Sequence, residues 1–216
     1  MSIRPPFVPR GVAYRDDEEK LRLETRNGVI QAEFIFHKAA SWRQGEPLDA
    51  ELLLELQRLA VNQIYRCAGH FRDGKVTLEG SQHEPPEFEK VPGLVEQMLT
   101  HLNERWHVDP ATELSAYAMW RLNWIHPFFG GNGRTARAFS YLVLCLRLGF
   151  APPIEKTIPE LIVEERNPYY DALSAADEAW RQDKLDVSKM ESLISSLLAQ
   201  QLAALHFRAT GKPMHL

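Results

Sequence analysis

Two cysteines in 216 residues, Cys67 and Cys145, are too few for a disulfide framework or a cysteine-based zinc site. Both fall in apolar runs expected to be helical, where a small buried hydrophobe is the ordinary reading. The chain has no run of about 18 apolar residues and no charged start leading into an apolar segment, so neither a membrane span nor a signal peptide is expected. A cytoplasmic location is the resulting expectation. Positive charge is not in excess: 25 Lys and Arg stand against 29 Asp and Glu, net −4, which leaves no basic footprint for nucleic acid. A Gly-x-x-x-x-Gly-Lys-[Ser/Thr] loop is also missing, which rules out a P-loop. His83-Glu84-Pro85-Pro86 cannot complete a His-Glu-x-x-His metal helix, because the second histidine is absent and the prolines break the helix. His37, His70, His101, His107, His206 and His215 show no ligand-like spacing, and no internal repeat or long low-complexity linker occurs.

What is present is a chain with ordinary globular proportions, 44% hydrophobic and 25% charged, long enough to bury a full core. Pro5, Pro6 and Pro9 suit an extended arm over residues 1 to about 15, followed by a helix with Ile30, Phe34, Ile35, Ala39 and Trp42 on one face. Helical spacing recurs over Glu51 to Cys67, Val91 to Trp106 and Glu113 to Ile125, the last apolar nearly all round and therefore expected at the centre. Arg134 to Leu148 follows, with Gly149 placed as a C-cap. Two further helical stretches lie near Glu160 to Arg181 and Val187 to Phe207, with breaks expected around Asn167-Pro168 and Asp183-Lys184. The expectation is an all-α bundle with one exception. Asp73-Gly74, flanked by short alternating segments in Gly69 to Gly80, is a hairpin signal, since both turn residues would take φ > 0.

The most informative stretch is His126-Pro127-Phe128-Phe129-Gly130-Gly131-Asn132-Gly133-Arg134-Thr135-Ala136-Arg137. Glycines let consecutive N–H groups point one way, and the turn opens into a helix whose first amides and positive dipole end attract an anion. Arg134 and Arg137 lie three apart, so they share a helix face as planar, permanently charged donors. His126, just before the turn, is the side chain whose ordinary pKa suits accepting a proton near neutrality. Phe128 reads as a buried anchor for the loop, and Trp120 and Trp124 as core residues rather than a nucleobase shelf.

This stretch resembles the signature of the Fic family, His-x-Phe-x-[Asp/Glu]-Gly-Asn-Gly-Arg-x-x-Arg, at every position except Gly130, which stands where the family has an acidic residue. The segment Gly69-His70-Phe71-Arg72 and the later Pro85-Pro86 are similar to the family's flap region, so the likeness covers about residues 50 to 180. It implies a Fic-type helical bundle with a small β-hairpin flap, divided into an N-terminal arm and helix over 1–48 and a Fic-like catalytic domain with C-terminal helices over 49–216. The implied activity is protein adenylyltransfer, moving AMP from ATP onto a Ser, Thr or Tyr hydroxyl of a target protein.

In that reading His126 is the catalytic base; Gly131, Asn132, Gly133, Arg134 and Arg137 hold the phosphates; and Lys75, Val76, Thr77 and Leu78 of the flap dock the target. The family's acidic residue binds Mg²⁺, and Gly130 supplies no carboxylate, so no protein metal ligand is expected and Mg²⁺ would be held mainly by phosphates. Three readings stay open: an adenylyltransferase with altered metal use, an enzyme transferring another phosphate-linked group, and a nucleotide-binding pseudoenzyme. Many relatives carry an inhibitory [Ser/Thr]-x-x-x-Glu-[Gly/Asn] helix whose glutamate pairs with the second motif arginine. Glu24-Thr25-Arg26-Asn27-Gly28 and Ser174 to Ala179 are incomplete counterparts, which leaves a separate antitoxin protein as an alternative source of the glutamate.

Overall fold

Aspartates start the first two helices of the computed structural model, which describes residues 11–43, 45–78, 83–152 and 156–213. Asp16 accepts the Glu19 N–H at 2.8 Å to open α1 (Asp17–Ser41), and Asp49 accepts the Leu52 N–H at 2.8 Å to open α2 (Ala50–Val61). After a 3₁₀ turn at Phe88–Lys90 come α3 (Val91–Arg105), α4 (Ala111–Ile125) and α5 (Asn132–Leu148). Gly149 ends α5 in the left-handed region at φ 79°. A Thr157–Glu160 capping box opens α6 (Ile158–Glu164), followed by α7 (Asn167–Arg181), with Pro168 in its first turn, and α8 (Ser188–Thr210).

The apolar-all-round reading of α4 holds: it packs on α3, α5, α7 and α8. Trp120, Met119 and Leu114 of α4 are fully buried with Phe139 and Leu142 of α5. A smaller cluster of Leu23, Ala60, Val61 and Ile64 joins α1 to the end of α2. Among the described residues no helix is long and apolar enough to cross a membrane.

Three local expectations need correction. The buried row of α1 is Leu23, Asn27, Gln31, Ile35 and Ala39, while Ile30 is turned outward. Two amides belong to the row because they have carbonyl partners: Asn27 donates to the Asn62 C=O at 2.8 Å and Gln31 to the Leu56 C=O at 2.8 Å. An apolar periodicity cannot see such positions. The second helix stops at Val61, well before Cys67, because the chain turns at Asn62 and Gln63 takes φ 61°; Ile64 and Cys67 are buried in turns. Finally, no β ladder forms over residues 70–78, and neither Asp73 nor Gly74 has positive φ, so the expected hairpin turn is not made. The end of the expected second strand, 79–80, lies outside the described residues, as does most of the N-terminal arm.

Candidate active site

Arg72 explains what shapes the flap in place of strand pairing. Its buried guanidinium donates from Nε to the His126 C=O at 2.8 Å and from Nη1 to the Gly74 C=O at 3.2 Å, and Nη2 reaches the Pro86 C=O. Its own N–H donates to the Pro127 C=O at 2.9 Å. One cation therefore ties both ends of the flap to the start of the motif loop. Burial lowers its pKa from the usual arginine range, and the charges of Glu87 and Glu89 oppose that lowering.

His126 ends α4 as its C-cap in the left-handed region, φ 50° and ψ 59°, with its N–H on the Leu122 C=O at 3.0 Å. A non-glycine residue there is uncommon, and such outliers concentrate at functional sites. Burial pushes the imidazole down to about 4; Arg72 and His83 add to the lowering, while a hydrogen bond to the Asn123 main chain opposes it. At neutral pH the ring is uncharged and able to accept a proton.

The loop is held from inside. Phe128 is buried and stacks on Phe71 with ring centroids 5.7 Å apart. Asn132 Oδ1 accepts the Phe128 N–H at 2.9 Å and its Nδ2 donates to the Phe128 C=O at 2.7 Å, so this buried amide fixes the loop's turn. Asn132, expected as a phosphate contact, is thus first of all a brace. Gly131 takes φ 77°, and the first main-chain bond of α5 runs from the Thr135 N–H to the Gly131 C=O, so the amides of residues 132–134 have no partner within the helix. A side chain at Gly131 would drive its Cβ to 2.4 Å from Val61 Cγ1.

A cleft of about 890 Å³ brings together His126, Gly133 and Arg137 with the flap residue Leu78 and the α7 residues Tyr169 and Tyr170. Burial lowers the Arg137 pKa, and the Tyr169 hydroxyl beside it acts the other way. Trp124 packs against the core as expected and, half-buried, also lines the cleft, where His83 packs against its ring at 5.5 Å and bonds through Nε2 to its C=O at 2.7 Å. Trp120 is buried as expected, its indole N–H on Asp177 at 2.8 Å.

Arg134 does not line this cleft. It lies with Arg137 on a second cavity, of about 430 Å³, between α1, α5 and α6, and its Nη2 pairs with Glu24 at 3.3 Å. Of the two glutamates in the partial inhibitory matches, Glu24 reaches a motif arginine, the first rather than the second; Glu178 pairs instead with Arg181 of its own helix.

In the flap, Lys75 pairs with Glu87 at 3.1 Å, Val76 is half-buried and Thr77 is exposed. Gly130 is crowded: a Cβ there would lie 2.4 Å from Tyr65 Cε2. Among the described residues, no group of three or more His, Cys, Asp or Glu is placed to hold a metal ion. Sequence reasoning missed Gln57 and Tyr65 altogether, because neither lies in a motif. Gln57 is buried in α2 with its amide on the loop, Nε2 to the Gly130 C=O at 3.2 Å; a polar residue on the inward row of an apolar helix was the available signal.

A family model described as "Fic/DOC family" matches residues 47–144. The chain is 30% identical over 142 residues to a protein adenylyltransferase Fic of Nematostella vectensis, covering 62% of this chain and 30% of that protein. It is 34% identical over 133 residues to a namesake in Drosophila persimilis, covering 58% and 23%. The chain thus spans less than a third of the length of these relatives. Among solved structures, a Fic domain containing signaling protein from Bacteroides thetaiotaomicron superposes with TM-score 0.74 at 22% identity, over 94% of this chain and 78% of that one. Fic-1 (residues 134–508) from C. elegans gives TM-score 0.71 at 23% identity, over 94% and 56%. At these identities the likeness concerns the fold.

Proposed function

Because the chain belongs to the Fic/DOC family, we propose that it is a protein adenylyltransferase, moving AMP from ATP onto a Ser, Thr or Tyr hydroxyl of a target protein. The observation that carries this reading is the shared cleft: His126, uncharged at neutral pH, opens onto the same space as Gly133 and Arg137 at the start of α5. The target hydroxyl oxygen attacks the α-phosphorus, its proton passes to His126, and the bond from that phosphorus to the bridging oxygen breaks, so pyrophosphate leaves with the electron pair. Helix-start amides at Gly131 to Gly133 stabilise the charge that develops on the phosphoryl oxygens. Arg137 grips the outer phosphates from the cleft, and Arg134 joins it when released from Glu24. Leu78 on the cleft wall, with Lys75, Val76 and Thr77 before it, offers a segment to the target main chain.

Gly130 brings no carboxylate, and the Tyr65 ring stands where a side chain would begin. Magnesium would enter on the nucleotide's own phosphates, with this chain contributing arginines and amides.

Incubation with labelled ATP, a divalent metal and cell lysate, wild type against His126→Ala, tests the reading. Label transferred to protein by wild type and lost in the variant is expected. Equal labelling by both removes His126 from the mechanism, and no labelling by wild type that still binds ATP supports the second reading. That reading is a nucleotide-binding module without transfer, favoured by the crowding of Gly130.

A further inference from the structure

Three segments far apart in sequence meet at one buried amide. Gln57 of α2 is 1% exposed. Its Oε1 accepts the Gly69 N–H at 2.5 Å, and its Nε2 donates to the Gly130 C=O at 3.2 Å. The orientation of the amide is settled by its partners, because a main-chain N–H only donates and a carbonyl only accepts. Gly69, at φ 78°, is where the chain leaves the turns after α2 and enters the flap; a Cβ there would also press on the Arg58 side chain at 3.3 Å. Gly130 directly precedes the left-handed Gly131 that opens the phosphate loop.

We infer that Gln57 is a positioning residue that couples the phosphate loop to the flap, so that a ligand held by the loop also orders the segment that receives the target. The consequence for catalysis rests on the adenylyltransferase reading, although the linkage itself is a property of the unliganded chain. Arg72 ties the flap to residues 126 and 127 at the other end of the loop. Phe71 of the flap also stacks on Phe128 of the loop, and Gln57 is the described link that reaches a glycine at the start of the flap and a glycine in the loop. A shift of the Gly130 carbonyl on phosphate binding moves the Gln57 amide, and the amide moves the Gly69 N–H. A purely packing residue at this place would be apolar, like its neighbour Leu56, which is fully buried.

The test compares wild type with Gln57→Glu, Gln57→Leu and Leu56→Ala, measuring ATP affinity by calorimetry and amide exchange over residues 69–78 and 130–135 with and without ATP. In wild type, ATP slows exchange at Gly69 and Arg72. Gln57→Glu keeps the acceptor for Gly69 and, when ionised, loses the donor for Gly130. It should weaken ATP binding about fivefold, the worth of one modest hydrogen bond, and abolish the ATP effect on the flap while leaving unliganded Gly69 exchange unchanged. Lowering the pH until the introduced carboxylate takes a proton should restore the donor and the coupling together, which a merely structural role would not do. Gln57→Leu should speed Gly69 exchange even without ATP.

Leu56→Ala controls for lost stability: it should lower Tm and keep the ATP effect on the flap. Wild-type ATP affinity and wild-type flap protection in Gln57→Leu, or in Gln57→Glu at a pH where its carboxylate is ionised, overturn the inference, as does a Leu56→Ala variant that uncouples equally. If Gln57→Leu fails to fold, Gln57→Glu and its pH rescue decide. If wild type binds no ATP, the proposed function fails, whereas the linkage is still read from unliganded exchange: Gln57→Glu must loosen the loop alone and Gln57→Leu both segments, and loosening of neither overturns it.

Discussion

The ring of Tyr65 lies against Gly130 so closely that a Cβ on residue 130 would come within 2.4, 2.7 and 2.9 Å of three ring atoms. Tyr65 is held there by the N-terminal arm: Val12 pairs with it in an antiparallel bridge, and the Ala13 N–H donates to the Ile64 C=O at 2.9 Å. The glycine at the family's acidic position is therefore matched by a ring that occupies the adjoining space. Gly130 is not among the positive-φ residues, so the obstacle to a side chain is this ring and not backbone strain.

Restoring the carboxylate alone should consequently fail. Gly130→Asp is expected to lower stability by about 1–3 kcal/mol through overpacking and to gain no sensitivity to Mg²⁺. Tyr65→Ala with Gly130→Asp should recover the folding loss and reduce the Mg²⁺ needed for transfer. Thermal melts and a metal titration of both variants check this; a well-tolerated single variant with improved metal use would show that the ring moves aside freely.

His126→Ala should abolish label transfer while keeping ATP affinity within a few fold, since a base acts on the chemical step. Single-turnover transfer and calorimetry on the same preparation separate the two. Transfer at the wild-type rate would end the mechanism proposed above.

The depressed pKa of His126 makes a pH prediction with a definite sign. The unfolded ring takes a proton around 6.5 and the folded ring near 4, so the neutral ring's contribution to stability is complete above 6.5 and is lost as pH falls towards 4. Wild type should therefore lose stability relative to His126→Ala across that window, and its transfer rate should lack the His126 limb at 6.5. Parallel Tm curves for the two proteins between pH 4 and 7 would contradict the shift.

Glu24 and Arg134 form a partly exposed ion pair, worth little to folding but able to compete with a phosphate for the guanidinium. Arg134→Ala should weaken ATP binding by about 1.5–3 kcal/mol, the range for a charge-assisted hydrogen bond. Glu24→Ala should tighten it by a few fold with little change in Tm. Unchanged ATP affinity in both variants would place the phosphates away from Arg134.

Flap docking is tested by Val76→Pro, which removes one main-chain donor in the irregular segment before Leu78. Modification of target protein should fall more than ATP affinity, measured by lysate labelling and calorimetry. The reverse ordering would assign this segment to the nucleotide.

Much of the architecture was legible in residue order. The 3.6-residue spacing around Leu114 to Ile125 announced a central helix because burial on every side requires apolar residues on every side, and Gly149 marked the end of α5 because a left-handed C-cap favours glycine. Phe128 was recognisable as an anchor by residue type alone. Asp73-Gly74 misled, since a dipeptide that permits a hairpin turn does not compel one when Arg72 draws the neighbouring carbonyls to itself. Trp124 packs against the core as its helix face implied, but periodicity could not show that the same ring also lines the cleft.

The order of residues by itself determined most of the helices, the Gly149 cap and the run of histidine, glycines and arginines at one helix start, because these depend on contacts within a few positions along the chain. Only the tertiary structure decided that His126 is buried enough to stay neutral, that Arg134 faces Glu24 while Arg137 faces the cleft, that Tyr65 fills the space beside Gly130, and that Gln57 joins residues 69 and 130. Desolvation, ion pairing and steric exclusion arise from groups brought together across many tens of residues, and no local pattern in the chain encodes which of them will meet.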